Sequence, residues 1–277
     1  MSLESGTKIN VTGKRRRGRK RSLSPSDLLM LVLFCSFSAW ILLEGTRGLG
    51  YHWQWYRIPR YLLFYDNSAW HLGPLLQGLV VTLQISSVSL FVALAIGLLT
   101  ALFRLSDSVM ARAAARFYLE IIRNTPLLIQ LFFIYFVISP ILGWSAFFSA
   151  VLALSLFEGA YASEMIRAGI LSVPRGQWEA SRSLGIGTYQ TYVRVVLPQA
   201  VRKVLPPLTG QAVSLVKDSA LVSTIAIYDL TMEAQAIVAE TFLTFEIWFT
   251  AAAIYLFMTL GLSFFARFLE RRFRLDY

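Results

Sequence analysis

The chain has 277 residues, of which 56% are hydrophobic, and its mean hydropathy is +0.57. Ordinary soluble domains have an apolar share of about 45–50% with glycine included, so this composition excludes that class and indicates a membrane protein. The formal net charge is +10, and with Cys35 as the single cysteine and His52 and His71 as the two histidines, a disulfide framework and a Cys/His metal site are both excluded.

The chain begins with a polar, basic segment. The run KRRRGRKR at 14–21 precedes a long apolar stretch that has no small-residue cleavage site. We therefore predict a cytoplasmic tail at 1–27 and an uncleaved anchor helix at 28–44. The alternative interpretation is a nucleic-acid or localisation patch. A basic run beside a spanning helix gains about 1 kcal/mol per charge at an anionic membrane surface, which favours the topological interpretation.

Six apolar windows approach the roughly 20 residues that a spanning helix requires. They lie at 28–44, 77–103, 125–142, 147–167, 206–226 and 246–268. The windows predict an all-α integral membrane fold with six transmembrane helices. In the third window we expect Thr125 to be the N-cap residue and Pro126 to begin the helix.

Lysine and arginine are distributed unevenly on the two sides of these windows. From a cytoplasmic N-terminus, the inner segments hold eight before residue 28, four at 104–123, six at 167–205 and four from Arg267 onward. The outer segments hold three: Arg47, Arg57 and Arg60. Positive charge concentrates on the cytoplasmic side of membrane proteins, so both termini are predicted to be cytoplasmic, with a C-terminal tail at 271–277.

The first outer segment, residues 45–74, is rich in aromatic side chains. They are Trp53, Trp55, Tyr56, Tyr61, Phe64, Tyr65 and Trp70. Tryptophan and tyrosine concentrate at membrane–water interfaces, so an interfacial belt is favoured over an aromatic cage for a ligand.

A long polar insert separates the fourth and fifth windows, at about 167–205. Connections between packed helices are usually a few residues long, so an insert of this length is either functional or disordered. Residues 177–184 are predicted to form a short helix with Glu179 and Arg182 paired at i,i+3. Gly185 is predicted to end this helix in the left-handed conformation.

A second short helix is predicted after Gly185, with Thr188 as its cap. Its apolar residues form one stripe at i, i+3, i+4 and i+7: Tyr189, Tyr192, Val193 and Val196. Pro198 is expected to end the helix, because proline disfavours helical conformation at the residue before it, Leu197. Such a pair of helices can lie on lipid, pack on its own bundle or dock into a groove of a partner. The residues alone favour the last two equally.

Two opposite charges, Glu158 and Lys217, fall near the middle of the fourth and fifth windows. An uncompensated charge there costs at least about 2.5–3.5 kcal/mol, so each is expected to face a partner or a wet cavity. Either the two form a structural pair, or they lie beside a substrate path. Asp218 points about 100° away from Lys217 around the helix, so one of these neighbours can line a path while the other braces the bundle.

Other polar side chains share the membrane windows. Thr82, Gln84 and Ser86 lie in the second window, and Tyr161 lies at i+3 from Glu158. They can bind ammonium or carboxylate groups, or they can satisfy hydrogen bonds between helices. Glu164 and Arg167 are expected to form a local pair. The substrate-path candidates are Thr82, Gln84, Glu158, Tyr161, Lys217 and Asp218.

Two catalytic patterns are absent from the sequence. It has no G-x-x-x-x-G-K-[ST] phosphate loop and no H-E-x-x-H zinc motif. The chain is therefore expected neither to bind ATP through such a loop nor to act as a metalloprotease of that type. No nucleophile–base constellation is evident, so we expect no catalytic residues.

The insert resembles the signature of permease subunits of ATP-binding-cassette importers, which runs Glu-Ala-Ala, three residues, Gly, then apolar residues and Leu-Pro. Glu179, Ala180, Gly185, Leu197 and Pro198 match this pattern, and Ser181 replaces the second alanine. The resemblance implies that the segment 174–200 couples the membrane subunit to a groove of a cytoplasmic ATPase. The implied coupling residues are Glu179, Ala180, Ser181, Leu184, Gly185, Gly187, Leu197 and Pro198.

Three stretches extend the resemblance to the polar amino acid branch of these permeases. They are YLEIIRNTPLLIQLFFIYF at 118–136, FEGAYASEMIRAGI at 157–170 and GQWEASRSLG at 176–185. The resemblance covers about residues 75–270. It implies a five-span core of the type I importer fold at 75–270, to which the N-terminal helix is an addition.

The resemblance also implies a function. The chain is expected to be a multi-pass transport subunit of the bacterial inner membrane that imports glutamate, glutamine, aspartate or basic amino acids. Its expected partners are an external binding protein, a second permease chain (identical or sister), membrane lipid and an ATPase dimer that holds ATP and magnesium. No nucleic acid and no cofactor of its own are expected. The alternative is an ion-coupled secondary transporter using Glu158, Lys217 and Asp218, but the inverted repeats usual in such folds are not evident.

Overall fold

The computed structural model describes residues 25–48, 51–66 and 69–273, and the chain divides into two compact units, Met1–Trp53 and Gln54–Tyr277. The first unit holds helix α1 (Pro25–Gly48), whose large apolar side chains, such as Leu28 and Phe34, are exposed. Helix α1 contains the whole of the window predicted at 28–44. Most of the predicted tail at 1–27 and residues 274–277 of the C-terminal tail lie outside the described residues.

The second unit begins with short elements in the segment predicted to lie outside. A 3-10 turn (Trp55–Arg57) leads into α2 (Pro59–Leu62), and β1 (Leu63–Asp66) pairs antiparallel with β2 (Ala69–Leu72). The all-α prediction missed this hairpin, although Asp-Asn-Ser between two aromatic runs is a turn signal.

Buried side chains attach this segment to the helices that follow. Ile58 and Tyr61 pack with Leu75, Leu243 and Ile247 in one apolar cluster. The backbone also approaches closely at Gly73, where an added Cβ would lie 2.4 Å from a carbonyl carbon of the segment. The segment is therefore part of the core and not a free loop.

Two long helices form the centre of the unit. They are α3 (Pro74–Leu105) and α7 (Ala146–Leu171), which extend the predicted windows at 77–103 and 147–167 by a few residues at each end. Small residues let them approach: a Cβ on Gly97 would meet Ala162 at 2.8 Å, and one on Gly159 would meet Ile96 at 2.9 Å. Close packing of small residues is a common way to associate helices within a membrane.

The third window contains three helical pieces and is preceded by an unpredicted helix. Helix α4 (Val109–Arg123) lies in the inner segment 104–123 and was not predicted, because its charged side chains interrupt the apolar run. After it come α5 (Leu127–Phe132), a π-helical turn (Phe133–Ile138) and α6 (Ser139–Leu142). The prediction for Thr125 was wrong: its hydroxyl donates to the carbonyl of Ile121 (2.8 Å), and Pro126 occupies the N-cap position.

The polar insert and the fifth window form one helical run. Helix α8 (Arg175–Ser183) is followed by α9 (Thr188–Thr191), a π-helical turn (Tyr192–Val196), α10 (Leu197–Asp218) and a 3-10 turn (Ser219–Ile225). The prediction that Pro198 ends the helix was wrong, because helix continues from Thr188 to Ile225. A proline ring clashes with the carbonyl four residues earlier, and at Pro198 that carbonyl lies in the π-helical turn, whose wider spacing accommodates the ring.

Two further helices complete the chain. Helix α11 (Leu230–Thr241) was not predicted, and α12 (Thr244–Phe273) contains the sixth window. Ala226 (φ 57°) and Phe242 (φ 59°) are in the left-handed region on either side of α11. Such a conformation is uncommon for residues other than glycine, so these two reversals could not be predicted from residue types.

Length and composition identify three to five possible spans among the described residues. Among the described residues, three helices qualify: α3, α7 and Thr244–Phe268 of α12. Two bent pairs raise the number to five: 109–123 with 127–142, bent by 104°, and 188–225 with 230–241, bent by 48°. The described fold is helical apart from one hairpin, so its predicted class is confirmed, whereas the count of six spans is not.

Candidate functional site

The predicted coupling segment is a helix–turn–helix at the start of the long helical run. Helix α8 ends at Leu184, and Gly185 follows in the left-handed conformation (φ +70°). The N–H of Gly185 donates to the carbonyl of Arg182 (2.9 Å), and that of Ile186 donates to the carbonyl of Ser181 (3.1 Å). This is the hydrogen-bond pattern of a Schellman motif, so the prediction for Gly185 is confirmed.

Two local predictions in this segment were wrong. Gly187 caps the second helix and Thr188 is its first residue, so Thr188 is not the cap. Within the described part of the chain, Glu179 and Arg182 do not form an ion pair, and both are exposed. An exposed pair of this kind gains little free energy in water, so its absence has little structural cost.

An apolar cluster holds the coupling segment against the bundle. Trp178 of α8 packs edge-on against Tyr192 at 5.0 Å between ring centres. Both rings contact a cluster that contains Ile170 of α7 and Val196, which is fully buried. Ser181, the residue that departs from the signature, is buried, and its hydroxyl donates to the carbonyl of Gln177 (2.9 Å).

The opposite side of the segment is exposed. Leu184 and Tyr189 are 77% and 79% exposed, and Glu179 is exposed as well. Ala180, Gly185 and Gly187 are exposed too, whereas Leu197 is half-buried and Pro198 lies ten residues beyond the turn. Only half of the predicted apolar stripe packs inward, since Tyr189 and Val193 face outward. The segment thus has one side fixed to the bundle and one side open for contact.

A carboxylate cluster lies in the middle of the helical bundle. Glu158 of α7 is 2% exposed, and its Oε2 accepts a hydrogen bond from the amide of Gln211 on α10 (2.5 Å). Its Oε1 is buried without a hydrogen-bond partner among the described residues. The half-buried carboxyl group of Asp218 lies close enough to interact with Glu158. Two carboxyl groups and one amide therefore meet here, and no cationic side chain of the described part of the chain contacts Glu158.

Glu158 and Lys217 do not form the predicted ion pair in the described part of the chain. No ion pair joins them in the described residues, because Lys217 is exposed and lies in a groove of about 450 Å³ between α10 and α12. Lys217 interacts with its neighbour Asp218. The interpretation as a structural pair was therefore wrong, and a role of Lys217 beside a substrate path stays a prediction.

The remaining substrate-path candidates have separate surroundings. Thr82 is fully buried, donates to the carbonyl of Gly78 (3.0 Å) and accepts from the N–H of Leu230 (3.1 Å), so its contacts join α3 to α11. Gln84 is exposed. Tyr161 packs against Phe157 at 5.1 Å between ring centres. None of the three contacts Glu158 through a hydrogen bond in the described structure, and their place in a path stays a prediction.

Sequence reasoning missed two polar groups. Gln211 was passed over because a single amide in an apolar window gives no signal of its partner. Asp229 is fully buried and caps α11 by accepting from the N–H of Met232 (2.9 Å), but α11 itself was not predicted.

The predicted pair of Glu164 and Arg167 forms (3.2 Å), and Arg104 and Arg123 contact the same carboxylate. No cluster of side chains suited to a metal ion occurs in the described part of the chain.

Comparison with known proteins gives concordant matches. Residues 93–275 match the family described as binding-protein-dependent transport system inner membrane component. The glutamine transport system permease protein of Escherichia coli strain K12 is 39% identical over 216 residues, which are 76% of this chain and 99% of that protein. The nopaline transport system permease protein of Agrobacterium fabrum is 39% identical over 200 residues, covering 68% of this chain and 83% of that protein.

Solved structures agree with these matches. The crystal structure of an amino acid ABC transporter with histidines matches with a TM-score of 0.67 and 38% identity, covering 72% of this chain and 94% of that one. The inward-facing MetNI methionine ABC transporter matches with a TM-score of 0.62 and 22% identity, covering 73% and 96%. The chain belongs to the family of inner membrane components of binding-protein-dependent transport systems.

Proposed function

We propose that the chain is the permease subunit of an ATP-driven importer of polar amino acids. The observation that carries this proposal is the coupling segment, with its left-handed Gly185, its buried inner side and its exposed Glu179, Leu184 and Tyr189. Relatives named for glutamine and nopaline transport support a polar substrate with an amino acid backbone. The ion-coupled alternative is not supported, since the family works with binding proteins.

The proposal assigns ATP hydrolysis to a separate subunit. The sequence has no G-x-x-x-x-G-K-[ST] phosphate loop, so ATP and magnesium belong to a cytoplasmic ATPase dimer that the coupling segment contacts. An external binding protein delivers the amino acid. A second permease chain, identical or sister, completes the pathway. Helix α12 supports this second chain. Only 6% of its spanning window is buried in the single chain, so most of its surface is available to contact lipid or a second subunit.

The proposed orientation places the coupling segment and both termini in the cytoplasm. It rests on the excess of lysine and arginine in the segments assigned to that side. Reporter fusions after Tyr277 and near Arg175 are expected to report the cytoplasm, and one near Tyr65 the outside. A reporter near Arg175 that reports the outside would overturn the orientation and the contact with the ATPase.

The substrate path is proposed to pass the cluster of Glu158, Gln211 and Asp218. Two adjacent carboxyl groups in a low-dielectric site attract a positive group, and the ammonium group of an amino acid supplies one charge and three donors. The unpartnered Oε1 of Glu158 is free to accept such a donor. Lys217 is proposed to act at the edge of this path through Asp218.

The central experiment tests coupling with two matched glycine variants. Gly185→Val places a β-branched residue at φ +70°, and Gly143→Val does so at φ +69°; at neither position would an added Cβ meet an atom within 4 Å. Gly143 lies at the end of α6, far along the chain from the coupling segment. Each full-length variant is coexpressed with its ATPase, and membrane insertion, ATPase copurification and amino acid uptake are measured.

We expect Gly185→Val to insert normally and to lose at least about tenfold of uptake, because β-branched residues strongly disfavour the left-handed region. Gly143→Val is expected to retain uptake within about twofold, because the same strain lies outside the coupling segment. Glu179→Lys is expected to weaken ATPase copurification by reversing an exposed charge. Normal copurification and uptake in both Gly185→Val and Glu179→Lys would refute the coupling assignment.

A further inference from the structure

A second polar cavity lies apart from the carboxylate cluster, between α3, α4 and α7. Its volume is about 330 Å³. Its lining is mostly charged or polar and comprises Arg104, Arg116, Arg123, Asn124, Glu120, Glu164, Tyr161 and Leu119. The coupling segment contributes no residue to it, so its charges require a separate explanation.

The charges of this cavity are dominated by arginine. Glu164 is shared by three guanidinium groups: Arg104 on α3, Arg123 on α4 (3.3 Å) and Arg167 on α7 (3.2 Å). Glu120, the other carboxylate, accepts from the amide of Asn124 (3.0 Å). With Arg116 the cavity and its margin hold four guanidinium groups and two carboxylates. The site therefore has a positive surplus.

Arg116 carries the part of this surplus that is available to a ligand. Its side chain is exposed at the cavity, and within the described residues it has no hydrogen-bond or ion-pair partner. Arg123 is 45% exposed, and its guanidinium also lies over the ring of Tyr161 at 5.7 Å. Guanidinium groups bind phosphate oxygens through paired N–H donors, which gives both charge and geometry.

Helix α4 also presents an apolar surface next to the cavity. Met110, Phe117 and Ile121 are exposed and share one face of α4, while Arg116 and Arg123 lie about a third of a turn around the helix. Arg104 lies in the last turn of α3, which ends on the cytoplasmic side in the orientation proposed above. A charged cavity beside an apolar helical face at this level matches a lipid whose headgroup is anionic and whose chains lie in the inner leaflet.

We propose that this cavity binds the phosphate group of an anionic phospholipid of the inner leaflet, with Arg116 and Arg123 as its main donors. Arg104 and Arg167 hold Glu164, which keeps that carboxylate from competing for Arg116. A free phosphate ion has the same chemistry at the arginines, but the apolar face of α4 favours the lipid as its source.

The test measures binding to the full-length chain purified in a neutral detergent. The probes are dioctanoyl phosphatidylglycerol, dioctanoyl phosphatidylcholine and inorganic phosphate, and binding is followed by native mass spectrometry and by thermal stabilisation. Arg116→Gln is compared with Arg202→Gln, which removes the same charge from an exposed arginine of α10 that the orientation places on the same side. Both residues lack contacts that hold the fold within the described structure, so the unliganded Tm of each variant is expected to match that of the parent.

We expect phosphatidylglycerol to bind at least about tenfold more tightly than phosphatidylcholine, and Arg116→Gln to weaken its binding about tenfold, which corresponds to one charge-assisted hydrogen bond. Arg202→Gln is expected to change it less than twofold. Binding of inorganic phosphate with the same dependence on Arg116 would support the phosphate site but assign a soluble source. Equal weakening by both variants, or no binding of either anionic probe, would overturn the proposal.

Discussion

Helix α7 carries two carboxylates with opposite surroundings. Glu164 is held by arginines from three helices, whereas Glu158, six residues earlier, contacts one amide and a second carboxyl group. Six residues are about 9 Å along a helix and bring the two side chains to different faces. Among the described residues, Glu164 contacts three cationic side chains and Glu158 contacts none.

The difference separates a structural charge from one that awaits a ligand. A buried ion whose partners are complete stabilises the packing of the elements that supply them, and removing it leaves orphan charges. A buried carboxylate without a cation lowers stability and is retained where a substrate or ion supplies the missing charge. We therefore expect substitutions at Glu164 to act on stability and those at Glu158 to act on transport.

The largest expected effect is at Glu164. Glu164→Gln removes the shared acceptor of Arg104, Arg123 and Arg167, and we expect a loss of about 2–3 kcal/mol, discounted for the 27% exposure of the carboxylate. The apparent Tm of the purified chain is expected to fall by about 5–10 °C. Glu120→Gln is the control, since that carboxylate is exposed and is held by Asn124. An unchanged Tm in Glu164→Gln would contradict the structural role assigned to Glu164.

Glu158→Gln is expected to change transport and leave the fold intact. The amide keeps the shape of the side chain and removes the charge that faces Asp218, so the Tm is expected to hold or rise. Substrate-stimulated ATPase activity of the complete transporter is expected to fall about tenfold, the loss of one ionic contact to the substrate. Glu240→Gln, the same change at an exposed position of α11, serves as control. Full activity in Glu158→Gln would contradict the substrate-path role.

A double-mutant cycle tests whether Glu158 and Asp218 bind the same ligand group. Asp218→Asn is expected to lower stimulated ATPase activity by about fivefold, less than Glu158→Gln because Asp218 is half-buried. If both carboxyl groups bind one ammonium group, the double variant loses less than the product of the two single losses. We expect a discrepancy of at least about threefold. Losses that multiply within error would show that the two residues do not share a ligand.

The smallest expected effect is at Lys217. Lys217→Met removes an exposed charge that interacts with Asp218 and not with Glu158, and we expect uptake to fall about two- to threefold. The complex is expected to assemble normally. If Lys217→Met instead reduced assembly and Glu158→Gln restored it, the two residues would form a pair that the structure does not contain, and the comparison would fail.

The sequence predicted the long apolar helices and the end of α8, because each depends on local signals. The windows at 77–103 and 147–167 follow from apolar runs, and Gly185 follows from the preference of glycine for the left-handed region. Helix α4 was missed for the converse reason: its fully buried residues are Ala115, Leu119 and Ile122, and charged residues interrupt the rest of the helix. The buried, charged and exposed apolar sides of α4 can be distinguished only when α3 and α7 are placed beside it.

Contacts between distant residues account for the other failures. The position of Glu158 in the middle of a membrane window predicted that its charge would have a partner. The observed partner, Gln211, lies 53 residues away in the sequence, and no local pattern connects the two residues. A pair with Lys217 was one of two interpretations, based on similar depth, whereas the rotation of α10 presents Lys217 to α12. Periodicity gives the face of a helix and not the neighbour of that face, so the members of the cluster could be proposed but not their pairing.

In the proposed orientation, the helical run through Pro198 leads from the cytoplasmic side into the membrane. From Thr188 to Asp218 the backbone is a single rod of about 45 Å, in which the π-helical turn replaces the break that a proline otherwise makes. A tilt of about 10° at the cytoplasmic end of such a rod carries the far end about 8 Å sideways. Pro206 and Pro207, which lack N–H donors, place the softest point of the rod midway along α10. Displacement at the turn therefore reaches Asp218 as leverage, with no loop between them to absorb it.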